Sequence, residues 1–283
     1  SLIKDHIRQF NPEVIFHMAA QSLVRRSYRE PCLTWETNVL GTINVLEVLR
    51  EHDKHCSVVI VTTDKVYENL ESIRPYKETD KLGGHDPYSS SKAAAELAVS
   101  SWNRSYLGKD SPARVATARS GNVIGGGDWS EDRIVPDMIK ALAAEQPVQV
   151  RNPASIRPWQ HVLEPLSGYM CLAEELTNSD DEAFRGPFNF GPDNTALQTV
   201  ENLVEESLQY WPGSWENNAE KNVPHEAGIL GLEIEKAHSL LRWKPKIEFT
   251  ESVRLTVEWY RKVHAGASPR DITLEQIRFY SEL

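Results

Sequence analysis

Two rhythms of apolar positions run through the first 122 residues. Nearly unbroken apolar runs stand at Val14-Ile15-Phe16, Val58-Val59-Ile60-Val61 and Val115-Ala116-Thr117-Ala118. A run without polar alternation predicts a strand buried on both faces, so strands are expected over residues 14–17, 58–62 and 115–119. Between them Val39, Ile43, Leu46 and Leu49 recur at helical spacing and predict a helix over 33–52, with further helices over 2–9 and 87–106. Strands alternating with helices in this order build a parallel sheet with crossover helices, an α/β doubly wound fold.

The texture changes after Asn122, where Gly, Pro and Trp cluster in 125–129, 153–160 and 211–215. Helices are expected over 134–145, after Val162, over 199–210 and 234–241, and a terminal one over 249–264. Strands are expected over 148–150, around Asn189-Phe190-Gly191 and around Val223. Such a mixture reads as a smaller α/β lobe assembled from separate segments. There are no internal repeats and no low-complexity linker.

Each predicted strand of the first part ends in small or polar residues. Thr62-Thr63-Asp64-Lys65 follows the second run, Met18-Ala19-Ala20-Gln21 the first, and Ser120-Gly121-Asn122 the third. Ligands of open parallel sheets bind at the carboxyl ends of the strands, so the three ends point at one crevice. Tyr88 and Lys92 stand four residues apart just after Gly83-Gly84-His85-Asp86-Pro87. If a helix starts near Pro87, both heads lie on one face and can share a ligand. A lysine so placed favours the phenolate by charge, and bringing a phenol from about 10 toward neutrality is worth roughly 4 kcal/mol. The same spacing also occurs on ordinary surface helices, and it is the polar strand ends nearby that single it out.

The set Tyr88-x3-Lys92, Thr63-Asp64-Lys65 on a strand end, His17-x-Ala19-Ala20 and Asn38-Val39-Leu40-Gly41-Thr42 resembles the extended short-chain dehydrogenase/reductase family of nucleotide-sugar enzymes. Within it, the strings 21–28, 62–67 and 121–129 are similar to the 4,6-dehydratases that act on CDP-glucose, and the resemblance runs along the whole chain. Most sugar-nucleotide 4,6-dehydratases carry Thr-Asp-Glu at the strand end, whereas Lys65 matches the CDP-glucose branch. The resemblance implies a Rossmann-type NAD domain over 1–122 and about 154–180, and a sugar-nucleotide lobe over about 123–153 and 181–283. It also implies NAD as cofactor, near Ala19, Ala20, Gln21, Asn38, Thr62, Tyr88 and Lys92. In such enzymes Tyr88 would be the base for the C4 hydroxyl, Lys92 would also hold the nicotinamide ribose, and Thr63 would bond the C4 oxygen. Asp64 would protonate the departing C6 hydroxyl, and Lys65 sits where relatives keep the glutamate that removes the C5 proton. That last role requires a lysine that is neutral at some stage.

Asn122, Asp128, Trp129, Arg133, Arg157 and His225 are expected on the sugar-nucleotide side, the two arginines as bidentate partners of the diphosphate. Alternatives stay open: Asn122 as a loop cap, the arginines as surface charges, Trp129 as lobe filling, and His17 as a packing residue under the crevice. The Gly-x-x-Gly-x-x-Gly turn that receives the pyrophosphate in the family is not present in these residues. Gly121 to Gly127 lacks a helix directly behind it and is read as a sugar-nucleotide loop. The chain is therefore expected to lack about two N-terminal βα units. A homodimer through the helices over 33–52 and 87–106 is implied by the resemblance alone.

Composition alters this picture little. A chain of 283 residues that is 40% hydrophobic and 25% charged buries a full core. A net charge of −10 argues against nucleic acid but not against an anionic small substrate, since Arg119, Arg133 and Arg157 can concentrate positive charge locally. Three scattered cysteines show no zinc or disulfide spacing, which suggests a reducing compartment, the cytoplasm by default; no metal is expected. No apolar stretch reaches the length of a membrane span. Three functions remain: a dehydratase, an NAD-dependent epimerase or reductase needing no Asp64-Lys65 pair, and a chain that binds sugar nucleotide without turnover.

Overall fold

The computed structural model describes residues 2–70, 74–193, 197–218 and 230–283. Helix α1 (Leu2–Phe10) leads into β1 (Val14–His17), then α2 (Val24–Arg29), α3 (Pro31–Trp35), a π-helical turn (Glu36–Leu40) and α4 (Gly41–Arg50). Strand β2 (Cys56–Val61) is followed by α5 (Pro87–Ser105) and β3 (Ala113–Arg119). The helix expected over 33–52 is present as one continuous helical stretch over 31–50, interrupted in its hydrogen-bond pattern by the π turn. The π turn rotates Asn38 inward, where its amide bonds the Gln21 carbonyl at 3.0 Å and Ser91 Oγ at 2.9 Å.

Strands β1, β2, β3 and β8 (Pro187–Asn189) form one four-stranded sheet in that order, every neighbour parallel. Because side chains alternate across a strand, β2 and β3 feed two cores at once. Val58, Ile60, Ala113 and Val115 pack with Val45 and Leu46 of α4 and Val99 of α5. Val59, Ala116 and Ala118 face the other way, onto Tyr169 and Leu172 of α7 (Leu163–Asn178) and Ala237 of α9 (Glu235–Leu241). Truncating a fully buried position such as Ile60 removes about 2–5 kcal/mol from a fold of this kind.

A third core gathers α6 (Ile134–Ala143), β5 (Val148–Val150), α8 (Val200–Tyr210) and α10 (Phe249–His264) around Met138, Ile139, Leu203 and Tyr260. Short pairs frame it: β4 (Val123–Ile124) with β7 (Gln160–His161), β6 (Ile156–Arg157) with β9 (Gln198–Thr199), and β5 with β10 (Trp215–Asn217). The helix over 249–264 is not the last, for α11 (Pro269–Glu282) follows, capped by the Ser268 side chain. The strand expected around Val223 lies outside the described residues.

Helix α5 starts where the sequence puts it, for local reasons. Asp86 caps it by accepting the Ser89 amide at 2.9 Å, and Pro87 occupies the first turn, where its missing N–H costs nothing. Gly84 packs so closely on the Ser89–Ser90 backbone that a Cβ there would lie 2.4 Å from the Ser90 nitrogen. Cap, proline and glycine together fix where the first turn begins, and so where Tyr88 points.

Candidate active site

A cavity of about 780 Å³ opens at the carboxyl ends of the sheet strands, between the sheet and the third core. Thr62, Thr63, Asp64, Lys65, Tyr88, Asn122, Asp128, Arg133 and Arg157 all line it. The two sets of residues expected on either side of a sugar nucleotide therefore meet in one space.

At the end of β2 the chain turns through a single 3-10 turn over Asp64–Val66, capped by Thr63. Asp64 is wholly buried, and its carboxylate accepts from Thr63 Oγ1 at 3.0 Å and Asn122 Nδ2 at 3.1 Å. Asn122 holds a left-handed backbone (φ 52°) that aims its amide inward, and Gly121 leaves the space a Cβ would fill 2.0 Å from the Asp64 carboxyl. Lys65 Nζ stands 3.6 Å from Asp64 Oδ1 and keeps about a third of its side chain exposed. The open question over Asn122 resolves into both roles: it lines the cavity and also braces Asp64.

Tyr88 is buried, and this alters the expectation drawn from Lys92. Burial pushes its phenol up to about 12, the hydrogen bond to Thr63 and the charge of Arg133 pull it down, and Asp64 and Asp86 push it up. Lys92 Nζ donates to the Val61 carbonyl at 3.0 Å, below the cavity wall, and burial lowers it to about 8 against the pull of Glu96. Desolvation therefore dominates at this phenol, and what opposes it comes from Thr63 and Arg133, not from Lys92. His17 is brought down to about 4 by burial first and Lys92 second, and its Nε2 lies 3.4 Å from Thr42 Oγ1. It packs beside the lysine as a neutral ring.

Gln21 and Asn38 do not face the cavity. The Gln21 amide N–H bonds Asn38 Oδ1 at 2.8 Å, and its side chain reaches Thr34 Oγ1 at 2.9 Å, so the pair fastens the loop after β1 to α5. Ala19 and Ala20 precede that knot and do not line the cavity either. Trp129 lies outside the lining, exposed and edge-on to Tyr260 at 5.2 Å. Arg119 is not available to an anion: it is buried against Glu96, with its NH2 2.8 Å from Oε2. In the glycine loop Gly121 and Gly125 border the cavity, while Gly126 sits under the Trp259 ring, where a Cβ would lie 2.0 Å from it. His225 lies outside the described residues.

The structure adds residues that spacing did not single out. Arg25 and Arg151 line the lobe side and share Asp132, at 3.6 Å and 3.0 Å. Arg133 bonds Asp128 at 2.9 Å and Ser22 Oγ at 3.0 Å. These contacts tie the loop after β1 to residues 128–133 across the cavity mouth. Arg25 belonged to a string that drew notice, but nothing in its spacing foretold a partner more than a hundred positions away.

Residues 1–256 match the family model described as GDP-mannose 4,6 dehydratase. The chain is 43% identical over 268 residues to the CDP-glucose 4,6-dehydratase of Salmonella typhimurium, covering 92% of this chain and 73% of that one. It is 26% identical to the dTDP-glucose 4,6-dehydratase of Haemophilus influenzae over 92% of this chain and 79% of the other. Among solved structures, the UDP-glucose 4-epimerase of Thermotoga maritima with UDP-glucose superposes with a TM-score of 0.80 at 24% identity, covering 93% and 81% of the two chains. The dTDP-glucose 4,6-dehydratase of Bacillus anthracis in complex with NAD gives 0.77 at 24% identity, over 95% and 78%. The two solved structures share the fold of this chain. With a family model matched over most of its length, the chain belongs to the GDP-mannose 4,6 dehydratase family, whose 4,6-dehydratases are lyases.

Proposed function

We propose that this protein converts CDP-glucose to CDP-4-keto-6-deoxyglucose with NAD, as a step in deoxysugar formation for surface polysaccharide. The observation that carries the reading is the meeting of Thr63, Asp64 and Lys65 with Tyr88 in one cavity, with Lys92 directly behind it. The similarity to the Salmonella CDP-glucose enzyme supports the nucleotide.

The residues fit the nicotinamide-ribose half of the cofactor: a phenol, an ammonium and a strand-end hydroxyl stand together at the carboxyl edge of a parallel sheet. Tyr88, Lys92 and Thr62 would hold that half. The chemistry NAD supplies when bound is reversible hydride acceptance, drawn from C4 of the hexose and given back at C6. Tyr88 takes the C4 hydroxyl proton in its phenolate form, which burial disfavours and the Thr63 hydrogen bond and Arg133 charge favour, with Thr63 bonded to the same substrate oxygen. A C4 carbonyl makes the C5 hydrogen acidic, which is what permits elimination. One proton shared by Asp64 and Lys65, 3.6 Å apart, serves both ends of that step. Asp64 gives its proton to the C6 hydroxyl, which leaves as water, while the Lys65 amine takes the C5 proton and gives it back to C5 once hydride has reached C6. Arg133 and Arg157 pair with the diphosphate from the lobe wall, with Asn122 and Asp128 beside the sugar.

A homodimer through the helical segments over 33–52 and 87–106 is part of the reading, supported by the exposed Leu33, Trp35 and Leu40 on the first and Leu97 on the second. Among the described residues no helix is long and apolar enough to cross a membrane. A cytoplasmic location is part of the same reading, supported by three scattered cysteines without disulfide spacing, which suit a reducing compartment.

Incubation with NAD and CDP-glucose, followed by NMR of the sugar, tests the reading. A 4-keto-6-deoxy product is expected. Recovery of unchanged CDP-glucose, or of its C4 epimer, overturns it.

A further inference from the structure

Behind the cavity lies a buried carboxylate, Glu96, that no role above uses. Tyr88, Lys92 and Glu96 are spaced four apart on α5 and share one face. Lys92 grips the Val61 carbonyl at 3.0 Å, and Glu96 Oε1 accepts from Thr62 Oγ1 at 2.6 Å. The helix thus holds two consecutive residues of the segment that runs straight into Thr63 and Asp64. The rest of the Glu96 carboxylate is filled from β3: Thr117 Oγ1 at 2.8 Å, Arg119 NH2 at 2.8 Å and Arg119 Nε at 3.0 Å. Arg119 in turn bonds the Tyr67 hydroxyl at 2.9 Å, which donates to Asn189 at 2.7 Å. Both members of the ion pair are almost fully buried.

A buried ion pair is weak support for stability, because apolar residues of similar volume often do as well or better. Its place one turn below the Tyr88–Lys92 pair gives it another use. We propose that Glu96 is a positioning residue of this site, which locks the end of β2 against α5 through Thr62 and supplies the counter-charge that holds the Lys92 ammonium beside Tyr88. The proposal rests on the reading that Tyr88 and Lys92 are the reactive pair.

The groups facing Lys92 are few. Its own helix brings Tyr88 and Glu96, β1 brings His17, the end of β2 brings the Val61 carbonyl and Thr62 hydroxyl, and Arg119 of β3 stands behind Glu96. His17 is held neutral, so Glu96 is the charge that opposes the burial of the ammonium. Burial works against the Glu96 charge, and Arg119 with the Thr62 and Thr117 hydroxyls more than offsets it, so the carboxylate stays ionised one turn from the lysine. Glu96 places a negative charge one helical turn from Lys92 without itself lining the cavity, where it would compete for a ligand.

The test is a titration of Lys92 in the full chain, followed by NMR of lysine carrying a labelled ε-carbon, with Lys92→Met used for assignment. It needs neither NAD nor substrate, so failure of the proposed reaction and failure of this inference are separable. In Glu96→Gln the Lys92 midpoint is expected to fall by about one unit, a tenfold loss of ammonium over the neutral form. Glu96→Asp keeps the charge and is expected to stay within about half a unit of wild type, even where its thermal stability drops as far. Should Glu96→Gln not fold, the double variant Glu96→Gln, Arg119→Gln removes the stranded guanidinium and is still expected to lower the midpoint. An unchanged midpoint in the glutamine variants, or an equal fall in Glu96→Asp, overturns the proposal.

Discussion

On the sheet side of the cavity Thr63, Asp64 and Tyr88 are at most 7% exposed and Lys65 alone reaches outward, at 31% of its side chain, while on the lobe side Arg133 and Asp128 keep 41% and 31% exposed. The sheet wall is fastened by bonds from buried or half-buried groups: Asn122 and Thr63 on Asp64, Val61 on Lys92, Glu96 on Thr62. The lobe wall is fastened by ion pairs at its rim, Arg133 to Asp128 and both Arg25 and Arg151 to Asp132. Fixed, desolvated groups suit proton transfer, where geometry and protonation state decide the rate. Ion pairs that keep 20–41% of each side chain exposed are partly screened by water, so their partners can be exchanged for a ligand's phosphates at modest cost. The comparison assigns chemistry to one wall and capture to the other.

The largest effect should come from the sheet wall. Tyr88→Phe is expected to lower kcat about a thousandfold with little change in KM, measured with CDP-glucose as substrate and circular dichroism to confirm the fold. A comparable rise in KM instead would erase the division between the walls.

The seam between the walls carries the next. His161 of β7 is buried, its Nε2 has no hydrogen-bond partner, and burial lowers it from 6.5 to about 4, partly offset by Glu251. A histidine kept neutral in the fold binds its proton more readily when the chain unfolds. Its contribution is therefore complete above pH 6.5 and is lost as the pH falls through about 4, by roughly 3 kcal/mol. Denaturant unfolding of wild type and His161→Gln across that window should show the variant less sensitive to acid; parallel curves would refute it.

On the lobe wall, Arg157→Ala should weaken capture about tenfold and leave kcat within about threefold, read as KM and as the Kd of CDP by calorimetry. A loss confined to kcat would move Arg157 to the chemical side. The smallest change is expected from Asp132→Asn. Removing a carboxylate that competes for Arg25 and Arg151 should tighten CDP binding about twofold to threefold at low salt, with the gain fading as salt rises. Weaker binding would show that Asp132 orients the arginines instead of competing for them.

The walls also differed in how readily they could be read. The sheet wall follows from local sequence: the apolar run of β2 ends at Thr62, the Asp86-Pro87 cap starts α5, and Tyr88 and Lys92 fall one turn apart. The lobe wall did not. Its strands are two or three residues long and pair across large gaps, as β6 does with β9, so no run is long enough to show a period. Helix α11 passed unseen because its pattern follows a glycine-containing break after His264, at which the helical reading stopped. The π turn has no period of its own in the sequence either, although Asn38 stands in a motif that drew attention to it.

By itself the sequence determined a parallel α/β sheet, its strand ends, and a tyrosine and lysine aimed past them, because each of these depends on neighbours within a few residues. Tertiary structure alone decided the electrostatics. Whether Lys92 lowers Tyr88 or burial raises it, whether Arg119 meets a substrate or Glu96, and which acid Asn122 braces are all settled by groups that arrive from distant elements. Charge interactions and desolvation act through space, and their balance is fixed only when the chain has folded.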